Sequence, residues 1–203
     1  KVSQERIKVV FGGVDTRKIA VCAPEGPKSD VIYSTRLVSH KRVDLLLSAS
    51  EISGRKLGRP IKGVITGDGP LKDDLKRQAY NMEVDFRFTG WLEHPEEVWG
   101  HMKNSKVMVH TSQREGFGFA ALEAMACGIP VIAMDEETTA IGELIDHGKN
   151  GYITSPDPES VSEAILTALD NYESMAPSCM DRADSFSWEA SGKSLVRAYT
   201  LNG

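Results

Sequence analysis

One stretch constrains this chain more than any other: residues 106–135, KVMVHTSQREGFGFAALEAMACGIPVIAMD. It opens with a short apolar run, VMVH, and turns through a polar loop that ends in Glu115-Gly116-Phe117-Gly118. A helix of small and apolar residues follows and stops at Gly128, and Pro130 leads into a second apolar run, VIAMD. Strand, loop, helix and strand make one βαβ unit, with its glycines where loop becomes helix. A helix N-terminus presents unpaired amides and a partial positive charge, so an anion is expected there. Glu115 sits just before the glycines. Glu123 lies inside the helix, at spacings of seven from Gly116 and four from Phe119, and so looks back toward the loop mouth. A phosphate-seeking pocket walled by two carboxylates suits a ligand with both phosphates and hydroxyls, as a nucleotide sugar has.

The rest of the chain repeats this alternation. Strands are expected at 7–10, 31–35 (VIYST, closing on Arg36), 61–66 (IKGVIT), 84–90 (VDFRFTG) and 151–154 (GYIT). FGGVD at 11–15 reads as a turn, and residues 16–30, with Pro24, Gly26 and Pro27 and no periodicity, read as a linker. A helix from about Lys41 carries Val43, Leu46 and Leu47 on one face and ends at 54–58. After the GDGP turn at 67–70 another puts Leu71, Leu75 and Ala79 inward and allows an Asp73–Arg77 pair outside. Shorter helices are expected after Pro95 and at 141–145. Asp157-Pro158 caps a long one with Val161, Ile165 and Leu169 on one side, and Ser187 caps a last one bearing Trp188, Leu195 and Tyr199. Alternating strands and helices predict a parallel sheet covered on both faces, a Rossmann-like, doubly wound α/β fold. Its ligand belongs at the carboxyl ends of the strands.

Composition removes other classes. A net charge of −5 over 203 residues disfavours a nucleic-acid partner, which needs many phosphate contacts. No apolar run approaches a membrane span and no signal peptide opens the chain. Cys22, Cys127 and Cys179 are odd in number, far apart and without metal spacing, which reads as reduced packing residues in a cytoplasmic protein. His40, His94, His101, His110 and His147 show no metal spacing and read as surface or packing residues, so no metal is expected. The chain starts at Lys1 in mid-pattern, as a fragment would.

Arg36 and Lys41, at one strand end, suit a pyrophosphate: arginine as a planar fork, lysine as a point charge. Taken alone they read first as a solvated basic strand end. GFGFAA also matches a loose dinucleotide pattern, with Asp135 at the end of the next strand. The four-residue polar loop 111–114 sets strand and glycines apart, however, and that reading leaves Arg36, Lys41, Glu115 and Glu123 without a task. A glycine-broken loop before a packing helix is the plainest alternative.

Combined, the segments become specific. STRLVSHKRVDLLL, GVITGDGPLKDDLKRQA, VDFRFTGWL, EGFGFAALEAMACGIPVIA and NGYIT resemble, in order, the blocks of the donor domain of group 1, glycogen-synthase-like retaining glycosyltransferases. These enzymes have the GT-B fold. FGGVD resembles their interdomain turn and FSWEASGKSLVRAY their closing helix; the E-x7-E element, Glu115 to Glu123, is the most specific part. The resemblance implies that Arg36 and Lys41 hold the donor pyrophosphate and that Glu115 accepts from sugar hydroxyls. It implies that Gly116 belongs to the donor-binding loop, that the amides of Phe117, Gly118 and Phe119 lie near sugar and distal phosphate, that Glu123 takes the ribose diol, and that the base meets backbone around Leu92. Arg36, Lys41 and Glu115 would be the catalytic set, with no metal and no cofactor beyond the nucleotide-diphosphate sugar substrate.

Three departures stand out. Thr35 and Arg42 replace the glycines flanking Arg36 and Lys41, with Arg42 adding a charge beside the phosphates, and Phe11 replaces an asparagine, affecting only the hinge. The implied organisation is a crossing and linker over 1–29, a donor domain over 30–186 and a closing helix over 187–203. The N-terminal acceptor domain would lie outside the chain and supply contacts to a carbohydrate or lipid-linked acceptor, with peripheral membrane attachment. The chain alone would then bind donor without turning it over. A nucleotide-sugar epimerase of the same fold and a non-catalytic nucleotide-binding module are the alternatives.

Overall fold

The computed structural model describes residues 9–82 and 84–200. Among them, six parallel strands form one sheet: β1 (Ser29–Ser34), β2 (Lys62–Thr66), β3 (Asp85–Gly90), β4 (Ser105–His110), β5 (Val131–Met134) and β6 (Gly151–Thr154). Their order is β3-β2-β1-β4-β5-β6, the doubly wound arrangement. Every residue of β5, and all of β1 up to Tyr33, is buried. Successive strand side chains point to opposite faces, so both faces of the sheet centre are covered.

The covering helices are α1 (Thr16–Val21), α2 (Val43–Leu57), α3 (Lys72–Asn81), α4 (Pro95–Lys103), α5 (Phe119–Ala126), α6 (Pro158–Ser185) and α7 (Trp188–Thr200). Short 3-10 turns stand at Ser39–Lys41 and Ile141–Leu144. The punctuation follows local chemistry. Gly58 takes a left-handed φ of +68° to close α2, and Asp157 accepts from the Ser160 amide at the head of α6. The long α6 packs against both α2 and α5. The buried Ser53 and Ser162 hydroxyls, 2.9 Å apart, join α6 to α2.

Four expectations are corrected. Half of the strand placed at 7–10, residues 7 and 8, lies outside the described residues, and residues 9–10 carry no strand. Residues 16–21, placed in the linker, are helical because Asp15 caps them, accepting from the Lys18 amide at 3.0 Å. The proline and glycine run that suggested a linker begins only after that helix. Arg77 pairs with Asp74 rather than Asp73. The apolar face of α7 is not buried: Trp188 and Tyr199 are 67% and 77% exposed, and no residue of the helix is buried.

Candidate functional site at the switch point of the sheet

From β1 the chain builds outward to β2 and β3, and from β4 outward to β5 and β6. The crevice between β1 and β4, at their carboxyl ends, is therefore where helices diverge and a ligand fits. Beside that crevice, over the carboxyl ends of β1, β2 and β3, opens a cavity of about 380 Å³, lined by Arg36 after β1, Asp68 after β2, Leu92 after β3, Trp99 of α4 and Glu123 of α5.

The backbone that presents Arg36 is held tightly. The Thr35 amide donates to the Thr66 carbonyl at 2.9 Å and the Leu37 amide to the Asp68 carbonyl at 2.9 Å, zipping the β1 exit onto the GDGP turn. Gly67 has φ +115°, and a Cβ there would stand 2.0 Å from the Thr35 carbonyl oxygen. Only glycine allows that approach. GDGP therefore shapes the site through backbone, as the turn reading expects, while the Arg36 side chain stays exposed with no ion pair among the described residues.

Glu123 reaches the cavity wall from the middle of α5. Burial raises its pKa, with the nearby Trp99 side chain partly offsetting this. The indole Nε1–H of Trp99 is itself buried without a hydrogen-bond partner. The carboxylate thus faces the cavity with little to neutralise it, and an incoming pair of hydroxyls would satisfy it.

Lys41, Glu115 and His110 make the second cluster. The turn that carries Lys41 is strapped to the loop after β4: Thr111 Oγ1 donates to the Lys41 carbonyl at 2.9 Å and the Gln113 amide to the His40 carbonyl at 2.8 Å. Lys41 Nζ then donates to Glu115 Oε2 at 2.8 Å, and His110 Nε2 lies 3.3 Å from the same oxygen. His110 foremost, with Lys41, holds the Glu115 carboxyl down to about 2 against the opposing effect of burial. Glu115 is ionised under all ordinary conditions.

The glycines behind Glu115 have separate tasks. Gly116 is open to solvent, whereas Gly118 adopts φ +93° as the N-cap of α5, where a Cβ would strike Ile141 Cγ1 at 2.5 Å. The Phe117 ring stacks on Phe11 with centroids 5.6 Å apart and meets Phe119 edge-on at 5.0 Å, so its side chain joins an aromatic cluster. Phe119 is half exposed at the mouth of the loop.

The structure divides the expected residues. Arg36, Leu92 and Glu123 line the cavity; Lys41, Glu115 and the glycine loop form the adjoining cluster. Two departures are corrected. Arg42 adds no free charge beside a phosphate site, because its guanidinium pairs with Glu136 at 3.1 Å and donates to the Pro156 carbonyl at 2.9 Å. Phe11 affects more than a hinge, since it stacks on Phe117 in the glycine loop. Sequence reading also missed His110 in the site. Its place as last residue of a strand facing the switch point was the available signal.

A six-stranded parallel sheet in this order, covered on both faces, defines a Rossmann-like α/β protein. The model for the family Glycosyl transferases group 1 matches residues 15–182, and the chain belongs to that family. Its curated relatives include a GDP-mannose-dependent alpha-(1-6)-phosphatidylinositol dimannoside mannosyltransferase of Mycobacterium tuberculosis, 32% identical over 134 residues, 66% of this chain and 34% of the relative. A lipopolysaccharide 1,6-galactosyltransferase of Escherichia coli is 34% identical over 164 residues, 76% of this chain and 44% of the relative. The chain thus spans less than half the length of these two. The crystal structure of Anabaena Alr3699/HepE in complex with UDP superposes with a TM-score of 0.78 at 21% identity, over 96% of this chain and 57% of that one. At that identity the likeness is one of fold, and the fold is the Rossmann-like one of GT-B glycosyltransferases.

Proposed function

We propose that the chain binds a nucleoside-diphosphate sugar and is the donor-binding part of a retaining glycosyltransferase. The observation that carries this reading is the opposite electrostatics of the two carboxylates of the E-x7-E element. Glu115 is fixed as an anion beside Lys41 at the helix N-terminus, and Glu123 is a poorly solvated carboxylate on the cavity wall. The first suits sugar hydroxyls close to phosphate; the second suits a ribose diol, two donors that one carboxylate can accept together.

Arg36 and Lys41 hold the pyrophosphate in this reading. Cleavage of the glycosidic bond builds negative charge on the leaving phosphate, and fixed cations there stabilise the transition state more than the ground state. The amides of Gly116, Phe117, Gly118 and Phe119 face the sugar and distal phosphate, and the base rests on backbone at Leu92. The acceptor is a carbohydrate or a lipid-linked one, the class named for two of the relatives. No helix among the described residues is long and apolar enough to cross a membrane, and a cytoplasmic site with peripheral attachment remains part of the proposal.

Calorimetry with UDP, GDP, ADP, their sugar conjugates and NADH tests the reading. A nucleoside diphosphate and its sugar conjugate should bind, the conjugate more tightly. Preference for NADH would replace the reading with a dinucleotide one. Incubation with radiolabelled sugar nucleotides and an acceptor panel should give binding without transfer, because positioning the acceptor alone supplies about 7–11 kcal/mol of barrier lowering. Robust transfer by the 203-residue chain would place the acceptor site within it.

A further inference from the structure

Two side chains converge on one oxygen of Glu115, and they differ in how far they can move. Lys41 Nζ stands 2.8 Å from Oε2 and His110 Nε2 stands 3.3 Å from it. Lys41 ends a single 3-10 turn on a long flexible stem and, in the donor reading, is the group that a diphosphate attracts. His110 is 3% exposed and ends β4, its backbone in register with Ala133 of β5 and its ring edge-on to the buried Tyr33 ring at 5.2 Å. It has nowhere to follow a ligand.

We infer that His110 is a positioning residue, its Nε2–H holding the Glu115 carboxylate in the orientation that accepts sugar hydroxyls when Lys41 turns to the pyrophosphate. The chemistry favours a histidine there. An ionised carboxylate only accepts, so the imidazole nitrogen beside it is the one that carries hydrogen. Burial disfavours the charged imidazole, and a neutral donor orients Glu115 without cancelling the negative charge that hydroxyls seek. With His110 on one oxygen, the other remains for the sugar. A lysine alone cannot do this, because a bound diphosphate competes for it.

This inference rests on the donor reading, and calorimetry on the intact chain separates the two. The readout is the sugar increment, the ratio of Kd for a nucleoside diphosphate to Kd for its sugar conjugate, with UDP and UDP-glucose, GDP and GDP-mannose, and ADP and ADP-glucose as probes. His110→Leu keeps bulk and removes the donor. It should cut the increment about tenfold, the lower range for a hydrogen bond to a charged group, and leave nucleoside diphosphate affinity unchanged. His110→Gln, whose amide can place an N–H near the Nε2 position, should retain most of the increment. If Glu115→Gln abolishes the increment while His110→Leu leaves it intact, the positioning role is wrong and the donor reading stands. Equal weakening of diphosphate and conjugate by His110→Leu, or no rescue by His110→Gln, also overturns the role and makes His110 a packing residue. A wild-type increment that is absent, or one that Glu115→Gln does not move, overturns the donor reading and the inference together.

Discussion

Glu115 and Glu123 are eight positions apart, and the fold drives their ionisation in opposite directions. The Glu115 carboxyl lies well below its ordinary 4.5, at about 2, so its contribution to stability is complete above pH 4.5 and is lost as pH falls toward 2. The stability difference between wild type and Glu115→Gln, measured by urea unfolding, should therefore shrink between pH 5 and pH 3. Glu123 is raised by burial from its ordinary 4.5, so its ionised form opposes folding; that penalty grows as pH rises above 4.5 and is complete once pH passes the raised value. Glu123→Gln should raise the ligand-free melting temperature at pH 7, because the amide carries no buried charge, while weakening nucleotide binding. A lower melting temperature would mean that the carboxylate has a structural partner. Among the cations, Arg36→Ala is the cleaner probe of phosphate binding, because Lys41→Ala also removes the ion-pair partner of Glu115. It should weaken nucleoside diphosphate binding by about 1.5–3 kcal/mol and leave nucleoside binding unchanged; equal losses would assign Arg36 to the fold.

At the scale of elements, the exit of β1 depends on one glycine. Gly67→Ala adds a methyl 2.0 Å from the Thr35 carbonyl at a φ of +115°, so the β1 and β2 ends must part. This should destabilise the chain by about 2–4 kcal/mol and weaken diphosphate binding further, since Arg36 follows Thr35 directly; Gly58→Ala, with open space around its Cβ, should change stability far less and binding not at all. The strands and most helices were legible because their signals are local: apolar runs of strand length, Asp157-Pro158 opening α6, and glycines at helix ends. Helix α1 was missed because one capping aspartate was outweighed by the prolines downstream. The E-x7-E spacing and Arg36 were visible as residues. Arg42 paired with Glu136 and His110 turned to Glu115 were not, because each depends on which loops the sheet order brings together. The exposure of α7 is a matter of packing, which periodicity does not report.

At the scale of the whole molecule, β1 pairs on one side with β2, next in sequence, and on the other with β4, where the Ser29 and Ser105 hydroxyls meet at 2.7 Å across a separation of 76 residues. The Lys41–Glu115–His110 cluster lies at the carboxyl end of that second seam. Loop closure over the longer interval carries the larger entropic penalty and slows assembly. The β1–β2 half, with Arg36 and the GDGP turn, can be in place before β4 delivers His110 and Glu115. In refolding from denaturant, far-UV circular dichroism should recover ahead of fluorescent nucleotide binding; simultaneous recovery would show that both seams close in one step. Because the crevice is made where early and late pairings meet, a bound nucleotide certifies a finished sheet: only a molecule that has closed its longest-range strand pairing can hold it.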